Sequence, residues 1–289
     1  MTNIGGSGEE VSPGKLYLVA TPIGNLQDLS PRVAQTLAEV DYIAAEDTRE
    51  LQKLLNHLSL KKSVLSYHHH NRQKATQQLL QLLHRGKSIA LVSDAGMPLI
   101  SDPGEELVAA VWEQGLPLTV IPGPSAGLTA LTLSGFSCNR FVFEGFLPTG
   151  EAKRRLRLLA LQGEERSCII YEAPHRLAQT MQDLVSYLGG ERRGIIAREL
   201  TKIYEEVVQG SLADLQQHLA QTPPRGEYVL VIAGAEEVEP PAMSDTEAQE
   251  QYRELVAAGW TRRDALKEAA RRSGIGRDRL YQILQEQSP

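Results

Sequence analysis

From Leu16 onward, short apolar runs alternate with helical segments, and this rhythm restricts the possible folds more than any other feature of the chain. LYLVAT, DYIAAED, SVLSYH, SIALVS and LTVIPG read as strands; RVAQTLAEV, ELQKLLNHL, ATQQLLQLLHRG and GEELVAAVWEQG read as the helices between them. Strands that alternate with helices of about 10 to 15 residues form parallel βαβ units. Ser30 followed by Pro31 marks one helix start, a hydroxyl acceptor before a residue that has no N–H to satisfy. Residues 14–122 are therefore expected to form an α/β domain, preceded by a flexible N-terminus over 1–13.

The rhythm continues less regularly over 123–235: FVFEGF, the basic helix EAKRRLRLLALQ, SCIIYEAP, HRLAQTMQDLVSYLG, RGIIAREL, EEVVQGS, LADLQQHLA and EYVLVIAG. Two strands separated by little more than TKIY call for antiparallel pairing, so this second α/β domain should carry a mixed sheet. AEEVEPPAMSDTEAQE then has six acidic residues, no basic ones and a Pro-Pro, the composition of a linker, placed over 236–251. Within 252–289, Thr261 and Asp264 form a capping pair, a helix follows, Ser273-Gly274-Ile275-Gly276 turns the chain, and a second helix ends it. That outline has the size and shape of a helix-turn-helix; the alternative is a plain helical hairpin in which Glu268 pairs with Arg271 and Arg272. Being too short to bury a core alone, it is expected to dock or to act as an arm.

Charge separates this tail from the body. The net charge is −6, yet 261–279 hold seven basic residues (Arg262, Arg263, Lys267, Arg271, Arg272, Arg277, Arg279) against three acidic, or +4. A basic appendage on an acidic body is a candidate polyanion contact, and these seven are its RNA-binding candidates. Other classes recede. At 289 residues and 42% hydrophobic content the chain can fill two cores, but SIALVS and YVLVIAG are far shorter than the roughly 20 residues that span a bilayer. MTNIGGSGEE lacks the basic and apolar regions of a signal peptide, and Cys138 and Cys168 are too far apart for a Cys-x-x-Cys pair, so the chain reads as cytosolic with no disulfide framework.

Glycine and proline cluster at strand ends: Pro22 to Asn25, Asp94 to Gly104, Pro122 to Ser125, and Glu172 to Pro174. In open α/β sheets ligands bind outside the carboxyl ends of strands, so the long LVSDAGMPLISDPG loop is expected to be a ligand wall. No Gly-x-Gly-x-x-Gly follows a strand and no Gly-Lys-Ser/Thr loop is present, which disfavours a nucleotide held by its phosphates. Carboxylates beside exposed backbone carbonyls suit a ligand with ribose hydroxyls, an ammonium and a carboxylate, as in S-adenosylmethionine.

LYLVATPIGNLQDLS, AAEDTR, LVSDAGMPLISDPG, PGPSA, FEGFLP, YEAPHR, ARELTK and GEYVLVI, in order from residue 16 to 233, together resemble the ribosomal RNA small subunit methyltransferase I family within the tetrapyrrole-methylase superfamily. The resemblance implies two α/β domains with S-adenosylmethionine in the cleft between them, usually in a homodimer. The implied reaction is 2′-O-methylation of a cytidine ribose in the decoding region of small-subunit rRNA, and the basic tail resembles the family's helix-turn-helix extension. By motif, Pro22 and Gly24 would line the cofactor floor. Asp94, Gly96, Ile100, Ser101 and Asp102 would approach the methionine part and ribose, Ser125 and Ala126 the middle, and Tyr171, Ala197 and the EYVLVIAG strand, with Val231, the adenine side.

One segment departs from the family pattern: SYHHHNR carries Arg72 where an acid is usual. Three adjacent histidines on an extended segment point to alternate faces, so at most His68 and His70 converge, and no metal is expected. A ribose hydroxyl attacks poorly until its proton is accepted or its developing charge is offset. The candidates for that task are Glu46 and Asp47 in AAEDTR, His68 and His70, and Arg198, Glu199 and Lys202 in ARELTK; an ion pair of Glu46 with Arg49 is the equally weighted structural reading. Two other functions remain open at this level: a tetrapyrrole methyltransferase, against which EAKRRLRLL and TRRDALKEAARR weigh, and an RNA-binding module without activity.

Overall fold

A computed structural model describes residues 12–221, 223–235 and 243–285. Residues 1–11, most of the expected flexible N-terminus, and 236–242, the first part of the expected linker, lie outside the described residues. The chain divides into two compact units, Met1–Ala235 and Glu236–Pro289.

The first unit holds two five-stranded sheets. One comprises β1 (Leu16–Val19), β2 (Tyr42–Ala45), β3 (Ser63–Ser66), β4 (Ile89–Val92) and β5 (Leu118–Ile121), in the order β3-β2-β4-β1-β5 and parallel throughout. Its helices α1 (Pro31–Glu39), α2 (Thr48–His57), α3 (Arg72–His84) and α4 (Glu105–Glu113) are the crossovers. The Ser30 hydroxyl caps α1 by accepting from the Val33 N–H, as the Ser-Pro signal predicts. β4 is buried at all four positions, the signature of a strand covered on both faces. Two apolar clusters sandwich the sheet, one under α1 and α2 and one under α3 and α4.

After α5 (Ala126–Ser134), the second sheet runs β6-β7-β10-β8-β9, from β6 (Phe141–Phe146), β7 (Ser167–Glu172), β8 (Arg193–Arg198), β9 (Glu206–Ser211) and β10 (Tyr228–Ile232). Only β6 and β7 are parallel; the other three pairings are antiparallel, including β8 with β9 across TKIY. The sheet is thus mixed, as expected. Helices α6 (Glu151–Gln162), α7 (Pro174–Leu188) and α8 (Leu212–Gln221) border one apolar cluster, and α5 packs Ala130 and Leu131 against the other face. Among the described residues, no helix is long and apolar enough to cross a membrane.

The second unit corrects one expectation. Residues 245–251, read as linker, begin a helix, α9 (Asp245–Ala257). A capping box drives this: the Ser244 hydroxyl accepts from the Glu247 N–H while the Glu247 carboxylate accepts from the Ser244 N–H, satisfying two otherwise orphaned donors. The tail therefore holds the expected pair of helices around the 273–276 turn and a third helix before them. α9 joins α10 (Arg262–Ser273) and α11 (Arg277–Gln285) around a small core of Ala248, Leu255, Ala265, Leu266, Ala269 and Leu280. A third helix supplies the apolar face that two short helices lack.

Candidate active site

The site forms where the loops after β1, β4 and β5 converge. A two-way backbone bridge joins Thr21 to Gly96 (2.9 and 3.1 Å), and the Thr21 hydroxyl donates to the Ser93 carbonyl at 3.0 Å. Gly96 has φ +83°, and a Cβ there would stand 3.1 Å from the Ile23 side chain and 3.2 Å from the Pro124 carbonyl oxygen. Three strand-end loops thus meet at one glycine, which accounts for the rigidity of LVSDAGMPLISDPG. Strain concentrates at the same places. Of five described non-glycine residues with positive φ, Leu99 and Ser101 lie in this loop and Glu199 and Thr201 in ARELTK. Such conformations cost about 1 to 3 kcal/mol each and persist only where the surroundings enforce them.

Below the loop is a cavity of about 360 Å³, in the range of small-molecule sites. Asp94, Gly96, Ile100, Ser101, Asp102, Ser125, Ala126 and Tyr171, all expected cofactor contacts, line it together with Ile23, Phe146 and Val229. The Tyr171 hydroxyl accepts from the Gly127 N–H at 3.0 Å, and its ring stands edge-on to Phe143 and Phe146 with centroids 5.1 and 5.9 Å away. Two expected contacts lie elsewhere: Ala197 and Val231 are buried in the core under α5, 1% and 0% exposed. For Val231 the reason is strand direction. β10 runs antiparallel to β7, so Val229, paired with Tyr171, reaches the cavity, whereas Val231 is paired with Ile169 further into the sheet.

The carboxylate side of the cavity is short of positive charge. The Ser93 hydroxyl donates to Asp102, and Asp94 accepts the Asp47 N–H at 3.0 Å. Burial pushes the Asp102 carboxyl above its usual range; the bond from Ser93 offsets part of this, and Asp94 adds a smaller repulsion. Glu46 is likewise raised, by burial and then by Asp102 and Asp94, with His68 opposing. It does not pair with Arg49, which instead meets Asp47 at 2.7 Å because Asp47 caps α2. A cationic ligand relieves this repulsion, and the apolar wall of Ile100, Ala126, Phe146, Tyr171 and Val229 suits a flat aromatic group, so the residues present fit S-adenosylmethionine.

A second hollow of about 340 Å³ adjoins the first, sharing Ile23, Asp94, Ala95 and Glu227. Pro22 and Gly24, expected on the cofactor floor, line this second space with Glu50 and Lys53 of α2 and with Lys202. The Lys202 ammonium donates to Glu199 at 2.9 Å and to Glu227 at 3.1 Å, and the Glu227 N–H donates to Glu199 at 3.0 Å. Gly24 has φ +152°, and a Cβ there would lie 2.4 Å from Lys202 Cγ, so the lysine stem lies directly on this glycine. Burial pulls Lys202 down, but the hydrogen bonds to Glu199 and Glu227 outweigh it and leave its pKa raised; Glu199, pushed up by burial, is brought below its usual range by Lys202, the Glu227 N–H and Arg198. Lys202 is thus an ammonium at neutral pH.

The other candidates scatter. Arg198 donates to the Arg225 carbonyl and meets Glu206 at 3.4 Å, outside both hollows. His68 Nδ1 accepts the Asn71 N–H, and the His68 and His70 rings stand 6.0 Å apart; among the described residues no cluster of three ligating side chains could hold a metal. Arg72, where the family pattern has an acid, meets Glu106 at the start of α4. Glu227 was not singled out in the sequence, although it stands in GEYVLVI; the signal was a carboxylate at the start of a strand that only an antiparallel placement turns towards the site. On the second unit, Arg271 and Arg272 pair with Glu268 and Arg279 with Asp245, while Arg262, Arg263, Lys267 and Arg277 form no salt bridge among the described residues.

Residues 15–216 match the family model described as Tetrapyrrole (Corrin/Porphyrin) Methylases. A protein of Synechocystis sp. named ribosomal RNA small subunit methyltransferase I is 49% identical over 273 residues, 94% of this chain and 98% of its own length. A Xylella fastidiosa protein of the same name is 45% identical, covering 93% and 98%. A third, from Thermotoga maritima, is 45% identical and matched over its whole length by only 77% of this chain, 223 residues, a span close to that of the first unit. Among solved structures, uroporphyrin-III C-methyltransferase from Thermus thermophilus superposes with a TM-score of 0.56 at 20% identity, over 76% of this chain and 94% of that one. The same enzyme with S-adenyl homocysteine gives 0.55 at 17%, over 76% and 97%. At those identities the likeness is one of fold.

Proposed function

The chain belongs to the ribosomal RNA small subunit methyltransferase I family of tetrapyrrole methylases, and from that premise we propose that it transfers a methyl group from S-adenosylmethionine to the 2′-hydroxyl of a cytidine in small-subunit rRNA. It is a methyltransferase that uses S-adenosylmethionine and acts on ribosomal RNA. The observation that carries the finer reading is the shared wall of the two hollows, with a charged lysine in the second hollow held between Glu199 and the shared Glu227.

When bound, the cofactor supplies an electrophilic methyl carbon on a sulfonium. Asp94, Asp102 and the apolar wall orient it in the first cavity, and the second hollow receives the nucleotide. Holding the reacting atoms in line accounts for up to ~7 to 11 kcal/mol of the barrier. Lys202, as an ammonium, offsets charge developing on the ribose oxygen, and Glu199 or Glu227 orients the hydroxyl and accepts its proton. Arg198 and Glu46 stand away from the second hollow and are assigned supporting roles, Arg198 through Glu199 and Glu46 through the cofactor carboxylates. In this reading residues 14–122 and 123–235 are the two domains that flank the site, the basic helices α10 and α11 contact RNA, and the enzyme works in the cytoplasm as a homodimer on the assembled small subunit.

The test is methyl transfer to small subunits that lack the modification, followed by mass spectrometry of the nucleosides. A 2′-O-methylcytidine product is expected. Methyl groups found only on bases, or transfer to uroporphyrinogen in preference to subunits, would overturn the reading.

A further inference from the structure

Trp260 lies in the turn between α9 and α10, with its backbone N–H donating to the Leu255 carbonyl at 3.1 Å. Its side chain is 45% exposed and stands outside the apolar core of the second unit. It borders a shallow hollow whose other walls include Asp264, Lys267, Glu268 and Arg271. Arg263, Lys267 and Arg271 follow at intervals of four residues and form one stripe along α10, and Lys267 and Arg271 of that stripe border the hollow with Trp260. The acids of this surface are already engaged. Glu268 holds Arg271 and Arg272 at 2.8 and 2.7 Å, and the Asp264 carboxylate accepts a hydrogen bond from the Thr261 hydroxyl at 2.6 Å. Arg263 and Lys267 are exposed and form no salt bridge among the described residues, and Lys267 shares the hollow with the indole.

We propose that Trp260 is a stacking platform for an unpaired RNA base, with Arg263 and Lys267 holding the phosphates on either side of it. This rests on the reading that the second unit contacts RNA, and it narrows that contact to single-stranded RNA. An aromatic face at the end of a cationic stripe is what single-strand binding requires: every base has a π-face, and the flanking charges track the backbone without reading sequence. A duplex offers no free base face to the indole.

The chain has two tryptophans, so Trp112→Phe in the full-length protein leaves Trp260 as its only indole reporter. A single-stranded oligoribonucleotide from small-subunit rRNA should quench its fluorescence saturably, and the same sequence in a duplex should not. Trp260→Ala should weaken binding of the single strand by about 5- to 150-fold without changing the salt slope, and Trp260→Phe should restore part of the loss. The Arg263→Ala, Lys267→Ala double variant should instead flatten the slope. Equal binding by Trp260→Ala, with the slope still set by Arg263 and Lys267, would overturn the stacking role and leave the RNA reading standing. Indifference of binding to both sets of variants would overturn both. Binding to intact subunits that needs Trp260, with no quenching by RNA alone, would assign the surface to a protein partner and overturn the proposal.

Discussion

Lys202→Met removes an ammonium and keeps most of the stem that lies on Gly24, so it isolates charge from packing. Two interactions are lost, at 2.9 Å to Glu199 and 3.1 Å to Glu227. Glu227 has a side chain 72% exposed, and solvent screens that pair to the low end of the ~0.2 to 1 kcal/mol typical of surface ion pairs. Glu199, 17% exposed, keeps its bond from the Glu227 N–H. The expected loss of stability is therefore about 1 kcal/mol, a shift of about 2 to 4 °C in Tm for a unit of this size. The effect on the reaction should be larger, because a donor aimed at developing charge is worth about 10² to 10³ in rate. Single-turnover methyl transfer at saturating subunits should fall by about 10²-fold or more, while calorimetry returns unchanged affinity for S-adenosylmethionine. A rate within a few-fold of the parent protein, or one recovered by raising the subunit concentration, would refute the transition-state role and leave Lys202 as a phosphate contact.

Glu46→Gln should raise the Tm of the ligand-free protein at pH 7. A carboxyl whose folded pKa is raised favours the folded state only below its unfolded value near 4, and that contribution is lost as pH rises through the folded pKa. The variant's advantage should therefore disappear in acid, and an unchanged difference across pH 3 to 7 would contradict the assignment. Gly96→Ala should leave the protein folded and weaken cofactor binding at least tenfold, since the Cβ must move Ile23 or the Pro124 carbonyl at the cavity wall; calorimetry with S-adenosylmethionine checks it. Native protein should show one reactive thiol per chain, the exposed Cys138, because burial pushes Cys168 up to about 12; two thiols reacting at equal rates in a native titration would contradict this. Removing residues 236–289 should preserve cofactor affinity while reducing the salt dependence of subunit binding, with binding isotherms at several ionic strengths as the measure.

Much of this molecule was legible in local pattern. Alternating strands and helices define a parallel first sheet, the short connection through TKIY requires an antiparallel pair in the second, and glycine and proline at strand ends mark the loops that meet at Gly96. These are properties of neighbouring residues, where side-chain period, capping hydroxyls and φ restrictions act within a few positions. Helix α9 is not legible because acidic composition and Pro-Pro outweigh a capping box only nine residues into the segment, and with α9 goes the small core that makes the tail a compact unit.

What only the tertiary structure decided is which side chains meet. Ala197 and Val231 occupy the right strands but lie in the core under α5, and the antiparallel course of β10 carries Val231 into the sheet and brings Val229 and Glu227 to the hollows instead. Arg198 and Lys202 stand four residues apart, yet one leaves the site for Glu206 and the other enters it, because Glu199 and Thr201 take left-handed backbone conformations between them. Strand direction and backbone handedness are set by contacts between residues far apart in the chain, such as β10 against β7 and Gly24 under Lys202, and no local pattern encodes contacts of that range.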